Sequence, residues 1–400
     1  MVRKLRVAIV GGGLGGLAVA RALRGQADTV ILEQGSQFGE VGAGINMSPN
    51  AFKVLRELGL EDPLRRCAFQ PEFHVFRDWR SGRTLFRANI KSEYETRFGA
   101  PHLSVHRADL HGILAAGLPE RDVRFQARCR SVSQNEHCAV VLLDNGDEVE
   151  ADVVIGADGI KSAVRESMFG KDDPEFTGNV AWRLTVPVEA LPYAIEPAVT
   201  NWLGPGGHVV HYYVRSGQLV NIVAVCETSQ WTAESWALKG DPAELLQTFS
   251  GWNRSLLTLL ARAETCFKWG LFDRPPLARW SQGRITLLGD AAHPMLPFLG
   301  QGAAMALEDG LTLGLLLSRD HGTIAERLSL YERLRLPRTA RAQIGSRARA
   351  AENHLRSPLQ RFVRNLKFKI RQYSNPHATL NNGEWLYGYD VHDALRAAGN

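Results

Sequence analysis

The residues of this chain best suited to chemistry fall into two groups. One is the run Gly207–Val214 (GHVVHYYV), which mixes imidazoles and phenols; the other is a set of three glycine-punctuated turns far apart in sequence, at Gly11–Gly16, Asp158–Gly159 and Gly289–Asp290. Imidazole titrates near neutrality, so His208 and His211 are candidate general bases. A strand turns successive side chains to opposite faces: His208, Val210 and Tyr212 point one way, and Val209, His211 and Tyr213 the other. Only one set can meet a given ligand, and the residues alone leave the choice open.

The first turn has the form Gly11-x-Gly13-x-x-Gly16, with Glu33 twenty residues beyond Gly13 at the end of the next apolar run. Gly11 permits a tight turn, Gly13 lets backbone N–H groups approach a pyrophosphate, Gly16 lets helix and strand pack closely, and Glu33 can accept ribose hydroxyls. An acid there repels a 2′-phosphate, so the dinucleotide is FAD or NAD and not NADP. The second turn, in VVIGADGIKSAVRESM, ends a strand before a helix, with Lys161 and Arg165 one turn apart and able to meet phosphates. The third, LLGDAAHPMLPFLGQG, runs from a strand through Gly289-Asp290 into another helix.

These turns require a βαβ frame. Val7–Val10 is a β-rich run, Leu17, Ala20 and Leu23 recur at helical spacing, and Thr29–Leu32 returns to strand character. Ser48-Pro49-Asn50 opens a helix over Ala51–Leu60. Hairpins are expected at Arg80-Ser81-Gly82 and Asp144-Asn145-Gly146, and a fully apolar strand at Val153–Ile155. From about Trp182 to Val225 the longer alternating runs, turning at Ser216-Gly217, predict a separate antiparallel sheet. From Ala303 the chain reads as helical, to a Pro/Asn/Gly-rich stretch near Asn375.

With 400 residues, 44% hydrophobic and 22% charged, two lobes are expected. No apolar run approaches a membrane span, and no signal peptide is evident, which predicts a cytoplasmic protein without integral membrane association. Five scattered cysteines without a CxxC pair fit reduced thiols. His102, His106 and His111 straddle a strand-to-helix junction without an HxxxH pair on one helix, so no metal site is expected. The segment His321–Arg371 holds 13 of the 47 Lys and Arg but 3 of the 42 Asp and Glu. Amphipathic helices with arginines on a solvated or subunit-contact face account for it without a nucleic-acid partner, and a homodimer stays open.

The chain resembles the single-component FAD-dependent aromatic hydroxylases, which share the fold of p-hydroxybenzoate hydroxylase: GGGLGG, GADGIKSAVR and LLGDAAHPMLPFLGQGAAMALEDG match its three fingerprints in order and spacing, from Val7 to about Arg338. Through VGAGINMSPNAFKVLRELGL, HLSVHRADLHGIL and WLYGYD it looks closest to the salicylate, 3-hydroxybenzoate and 6-hydroxynicotinate hydroxylases. The resemblance implies an α/β fold: a discontinuous Rossmann-type FAD domain (1–70, 100–178, 276–335), an inserted antiparallel-sheet substrate domain (71–99, 179–275) and a C-terminal helical segment (336–400). Gly13, Leu14, Gly15 and Glu33 would hold the AMP half of FAD, with Asp158 in the second fingerprint. Asp290 would meet the ribityl or diphosphate region, Gly44 and Ile45 would lie along the isoalloxazine, and Arg107 would touch the flavin side. Gln301, Gly302 and Ala303 would bring a helix N-terminus to the ring, where its positive end favours the anionic reduced flavin; Gln301 would act through its backbone.

With one Rossmann fingerprint, NADH or NADPH would visit transiently. The implied reaction is reduction of FAD, capture of dioxygen as a flavin C(4a)-hydroperoxide and oxygen transfer to a phenolic aromatic acid. An apolar lining from Met295, Leu296, Pro297, Phe298 and Leu299 would keep water out. Deprotonating a phenol of pKa ~10 with a base of ~6.5 is uphill by about 5 kcal/mol, so the site must stabilise phenoxide as well as supply a base. By resemblance His208 is that catalytic histidine and Tyr212 a substrate-contacting tyrosine, with His211 and Tyr213 the runners-up. Asn46 and Phe298 replace histidines of the 6-hydroxynicotinate enzymes, which favours a benzenoid acid with Arg183 or Arg215 as carboxylate partner. Alternatives are an N-heteroaromatic hydroxylase, an NAD-linked dehydrogenase and a non-catalytic flavin-bound sensor. A flavin halogenase is excluded by the lack of Trp-x-Trp-x-Ile-Pro.

Overall fold

The computed structural model describes residues 3–39, 43–229, 238–374 and 378–399. The expected break near Asn375 falls outside them. Leu5–Val10 is the hub of a six-stranded sheet, pairing in parallel with Ala27–Leu32 on one side and Val153–Gly156 on the other; Val153–Gly156 pairs in parallel with Ile285–Leu287. The register puts Val10 beside Gly156, and Gly156 beside Leu287. All three glycine turns therefore leave the carboxyl ends of adjacent strands, where parallel α/β sheets place ligands. These strands are covered on both faces, so they read as unbroken apolar runs.

Helix Leu14–Ala22 follows the first turn and packs along helix Gly302–Leu317, which follows the third. Added Cβ atoms at Gly310 and Gly314 would meet Ala18 and Ala22, so small residues set this close crossing.

A second, eight-stranded sheet has Glu175–Pro187, Leu219–Glu227, Gly207–Val214 and Ala198–Gly204 at its centre, with Phe73–Asp78 and Thr84–Asn89 on one flank and Cys266–Asp273 and Lys239–Gly240 on the other. The expected hairpins are present at residues 79–83, 144–147 and 215–218. The sheet departs from the antiparallel expectation at one seam, where Ala198–Gly204 and Phe73–Asp78 run parallel. The two strands belong to segments far apart in the chain, and no hairpin forces their direction. Trp182, Val209, Phe249 and Trp252 bury one face of the sheet beneath helices Pro242–Thr248 and Arg254–Leu260. On the other face Ala181, Val225, Trp269 and Leu271 pack against Leu296, just after the third turn.

Helix Ile324–Asn353 begins with a capping box between Thr323 and Glu326 and runs on past Pro337, so the division expected after residue 335 falls inside it. Helix Pro358–Ser374 follows, anchored through Phe368 on Phe76 and Phe86, with Leu359, Phe362, Leu366, Ile370 and Tyr373 outward. The arginines here are not all solvated as expected. Arg335, Arg338 and Arg364 are buried, and Arg335 and Arg338 neutralise the buried carboxylates Glu308 and Asp309. Among the described residues no helix is long and apolar enough to cross a membrane.

Candidate active site

The first turn is braced before any ligand arrives. Glu33 accepts the N–H of Gly12 at 2.9 Å and of Gly35 at 2.8 Å, while Nε2 of His111 lies 2.7 Å from the Gly12 carbonyl. His111, one of the three neighbouring histidines, is thus a loop brace. Gly11 holds φ +105°, a backbone that side chains disfavour, and Gly16 approaches the Gly11 carbonyl so closely that no Cβ fits between them. Gly13 is different: a Cβ there would meet nothing within 4 Å, so its backbone faces open space at the start of helix Leu14–Ala22. That is the cradle a pyrophosphate requires.

The second turn behaves otherwise than expected. The Asp158 carboxylate turns back on its own helix, accepting from Ser162 Oγ at 2.5 Å and Val164 N at 3.2 Å, and burial raises its pKa. Arg165 is buried and bound to Asp172 Oδ2 at 2.5 Å, so it is not open to phosphates; Lys161 lies at the surface of the same turn.

In the third turn Asp309 holds the loop from beneath, accepting from Gly289 N at 3.0 Å and contacting His293 Nε2 at 2.5 Å, while Arg335 Nε donates to its other oxygen at 2.7 Å. Burial opposes ionisation of Asp309, but the His293 and Arg335 charges outweigh it and bring its pKa to about 2. Asp290 is left facing a cavity of about 110 Å³ that Lys161, Trp269, Leu271, Met295 and Leu296 also line. The protein mass around that cleft raises the Asp290 pKa, against the opposing charges of His293 and Arg107. Of the expected apolar lining, Met295, Leu296 and Pro297 border this cavity; Phe298 lies against His208, and Leu299 approaches Gly345 of helix Ile324–Asn353.

Gln301 is buried with its side chain committed inward, donating to Ser48 Oγ at 3.0 Å and accepting from Asn50 Nδ2 at 3.1 Å. Only its backbone and the first amides of the helix, at Gly302 and Ala303, remain for a ligand, and no side chain caps that end.

The two faces of Gly207–Val214 have different surroundings. Tyr213 OH donates to Ile195 O at 3.0 Å and His211 lies beside Trp202, away from the glycine turns, so the runners-up are set aside. Tyr212 and Asn221 press on Gly44, where an added Cβ would come within 2.7 Å of either side chain, and Asn221 Oδ1 accepts the Gly44 N–H at 2.6 Å. His208 sits on the same face with its ring 5.4 Å from that of Phe298; its Nδ1 is 2.8 Å from Nε2 of His354. Burial, then the neighbouring His354, holds His208 well below the usual histidine range. Arg183 also occupies this face, stacked 4.2 Å over Trp269, whereas Arg215 is bound to Asp109 at 3.0 Å in an exposed pair and drops out as a carboxylate partner. Asn46 beyond Ile45 accepts from Ser104 Oγ at 2.8 Å.

A family model described as an FAD binding domain matches residues 4–344. The chain is 39% identical to a 3-amino-4-hydroxybenzoate 2-monooxygenase of Streptomyces platensis over 96% of both chains. It is 35% identical to the 3-hydroxybenzoate 6-hydroxylase of Klebsiella oxytoca, covering 99% of this chain and 100% of the relative. A salicylate hydroxylase substrate complex superposes with a TM-score of 0.83 at 27% identity, covering 99% of this chain and 98% of that one. The chain belongs to the single-component FAD-dependent aromatic hydroxylases. Its cofactor is FAD, and the open backbone at Gly13, the uncapped amides at Gly302 and Ala303 and the cleft at Asp290 fit that group.

Within this hydroxylase the structure brings Gly44, Tyr212 and Asn221 together, and joins His208 to Phe298 and His354. Sequence reading missed Asn221, His354 and the Asp309 anchor. Asn221 carried one available signal: it shares strand parity with Val223 and Val225, the residues that pair with Val210 and His208 on the same face. His354, 146 residues from its partner, carried none.

Proposed function

We propose that this hydroxylase acts on a benzoate bearing a free phenol, using NADH or NADPH and dioxygen. The reading rests on one observation above all: His208 and Tyr212 share the strand face that abuts Gly44, and Nδ1 of His208 is already engaged, which leaves Nε2 as the nitrogen for the substrate hydroxyl. Relatives named for 3-hydroxybenzoate and 3-amino-4-hydroxybenzoate support a ring that carries both phenol and carboxylate.

Bound FAD supplies the oxygen transfer. Gly13, Leu14, Gly15 and Glu33 would hold its AMP half, Asp290 its middle with Asp158 bracing the adjoining turn, and Gly44, Ile45, Arg107 and the Gln301–Ala303 backbone its flavin side. His208, kept uncharged by burial, takes the phenol proton at Nε2. Tyr212, whose own ionisation burial opposes, stays protonated and donates to the resulting phenoxide. Arg183, on the same face, pairs with the carboxylate. Leu296 and Phe298 exclude water from the reacting face.

The test is a screen of hydroxybenzoates, salicylate and 3-hydroxybenzoate among them, for stimulated NADH or NADPH oxidation together with a product heavier by one oxygen. His208→Ala should lower hydroxylation by about 100-fold or more while FAD stays bound. Unchanged product formation in that variant would remove His208 from the chemistry.

A further inference from the structure

We infer that His354 is a positioning and proton-relay residue for His208, and that Glu227 completes a path from the substrate phenol to the protein surface. The inference rests on the assignment of His208 above. His208 comes from strand Gly207–Val214, His354 from the end of helix Ile324–Asn353, and Glu227 from the end of strand Leu219–Glu227. The two rings lie 5.0 Å apart with Phe298 against both. His208 Nδ1 is 2.8 Å from His354 Nε2, and His354 Nδ1 is 4.0 Å from Glu227 Oε1. Both histidines are 5% exposed, while the Glu227 side chain is 31% exposed, so the series runs from the buried site to water.

The order of groups fixes the tautomers. A carboxylate beside His354 Nδ1 favours the proton there, which makes Nε2 an acceptor. His208 must then carry its proton on Nδ1 to donate, and its Nε2 is bare, as a base toward the phenol requires. Burial lowers both imidazoles, His354 to about 4 with Glu227 opposing, so both begin uncharged at neutral pH. The charged groups facing the pair are Glu227 from its strand and Arg356, which follows His354 and binds Glu227 Oε2 at 2.6 Å; Phe298 from the third-turn loop brings no charge.

The transfer balances without any other reagent. The phenol O–H bond breaks as His208 Nε2–H forms; His208 Nδ1–H breaks as His354 Nε2–H forms. His354 Nδ1–H then passes to Glu227, after a small rotation of its partly exposed carboxylate, and from there to solvent. Each ring gains one proton and loses one. Reprotonation of the product oxygen by the reverse route restores the starting tautomers.

Two variants separate positioning from relay in the flavin-loaded protein. His354→Asn keeps an oxygen to accept from His208 Nδ1 but cannot pass a proton on, whereas His354→Phe does neither. With 15N-labelled histidine, NMR should show the His208 proton on Nδ1 in the wild type and in His354→Asn, and displaced toward Nε2 in His354→Phe. With the hydroxybenzoate that the wild type turns over, both variants should lose about 10- to 100-fold in kcat, with KM little changed in His354→Asn. Glu227→Gln should shift the pH profile of kcat. An unchanged His208 tautomer in His354→Phe, or wild-type kcat in His354→Asn, overturns the inference. A displaced tautomer in a protein whose wild type turns over no hydroxybenzoate upholds the histidine coupling and overturns the substrate assignment instead.

Discussion

Gly13 and Gly16 stand three residues apart in the same loop, yet a methyl group at each should do opposite things. At Gly13 the backbone is at φ −72° and ψ 180°, which alanine adopts freely, and the new Cβ would meet no protein atom within 4 Å. Removing backbone freedom from the unfolded chain should leave the flavin-free Gly13→Ala protein as stable as wild type, or more stable by about 0.4–1 kcal/mol. The same methyl would stand where a pyrophosphate oxygen must approach the amides of Leu14 and Gly15. Losing one charge-assisted hydrogen bond of about 1.5–3 kcal/mol weakens FAD by about 10- to 100-fold. At Gly16 the Cβ would run into the Gly11 carbonyl, a backbone atom that cannot swing away, so Gly16→Ala should melt earlier even without FAD. The assay pairs thermal unfolding of deflavinated protein with FAD titration followed by flavin fluorescence. A Gly13→Ala protein that unfolds as early as Gly16→Ala, or that binds FAD as tightly as wild type, refutes the reasoning.

Replacing Arg335 by Met removes the guanidinium shared by the fully buried Glu308 and Asp309, leaving Arg338 on one and His293 on the other, and should lower stability by about 3 kcal/mol in chemical unfolding. The Asp309 carboxyl sits near 2 in the folded protein against an ordinary 3.8. Its contribution, about 2 kcal/mol, is therefore fully present above the ordinary value and fades as the pH falls toward 2; Asp309→Asn should flatten the acid limb of the stability curve there. Asn221→Ala leaves the buried Gly44 N–H without an acceptor, which should cost about 1–3 kcal/mol and loosen FAD, measured by melting and by titration.

How far the sequence revealed this arrangement depended on the range of the interaction. The first turn was legible because its glycines, strand, helix and Glu33 lie within one βαβ unit. The alternation within Gly207–Val214 divided His208 from His211 correctly, but parity alone could not say which face looks toward the glycine turns; that depends on helices Pro242–Thr248 and Arg254–Leu260 covering the other. Arg165 sat one helical turn from Lys161 and looked like a phosphate ligand, yet Asp172 claims it after the chain turns back. The basic stretch misled for a similar reason: the carboxylates that neutralise Arg335 and Arg338 belong to a different helix and are invisible to a local charge count. His354 joins His208 only through the path of the last helices.

Arg338 reaches in two directions, to Glu308 on the helix behind the third turn and to the carbonyls of Trp385 and Leu386 near the far end of the chain. Trimming the protein back to residue 384 would strip that guanidinium of two acceptors and open its buried carboxylate partner to water. Shortened versions made for crystallisation or fusion should accordingly lose cofactor before they lose their sheets, and appended sequences belong beyond residue 399 instead of in place of the final helix.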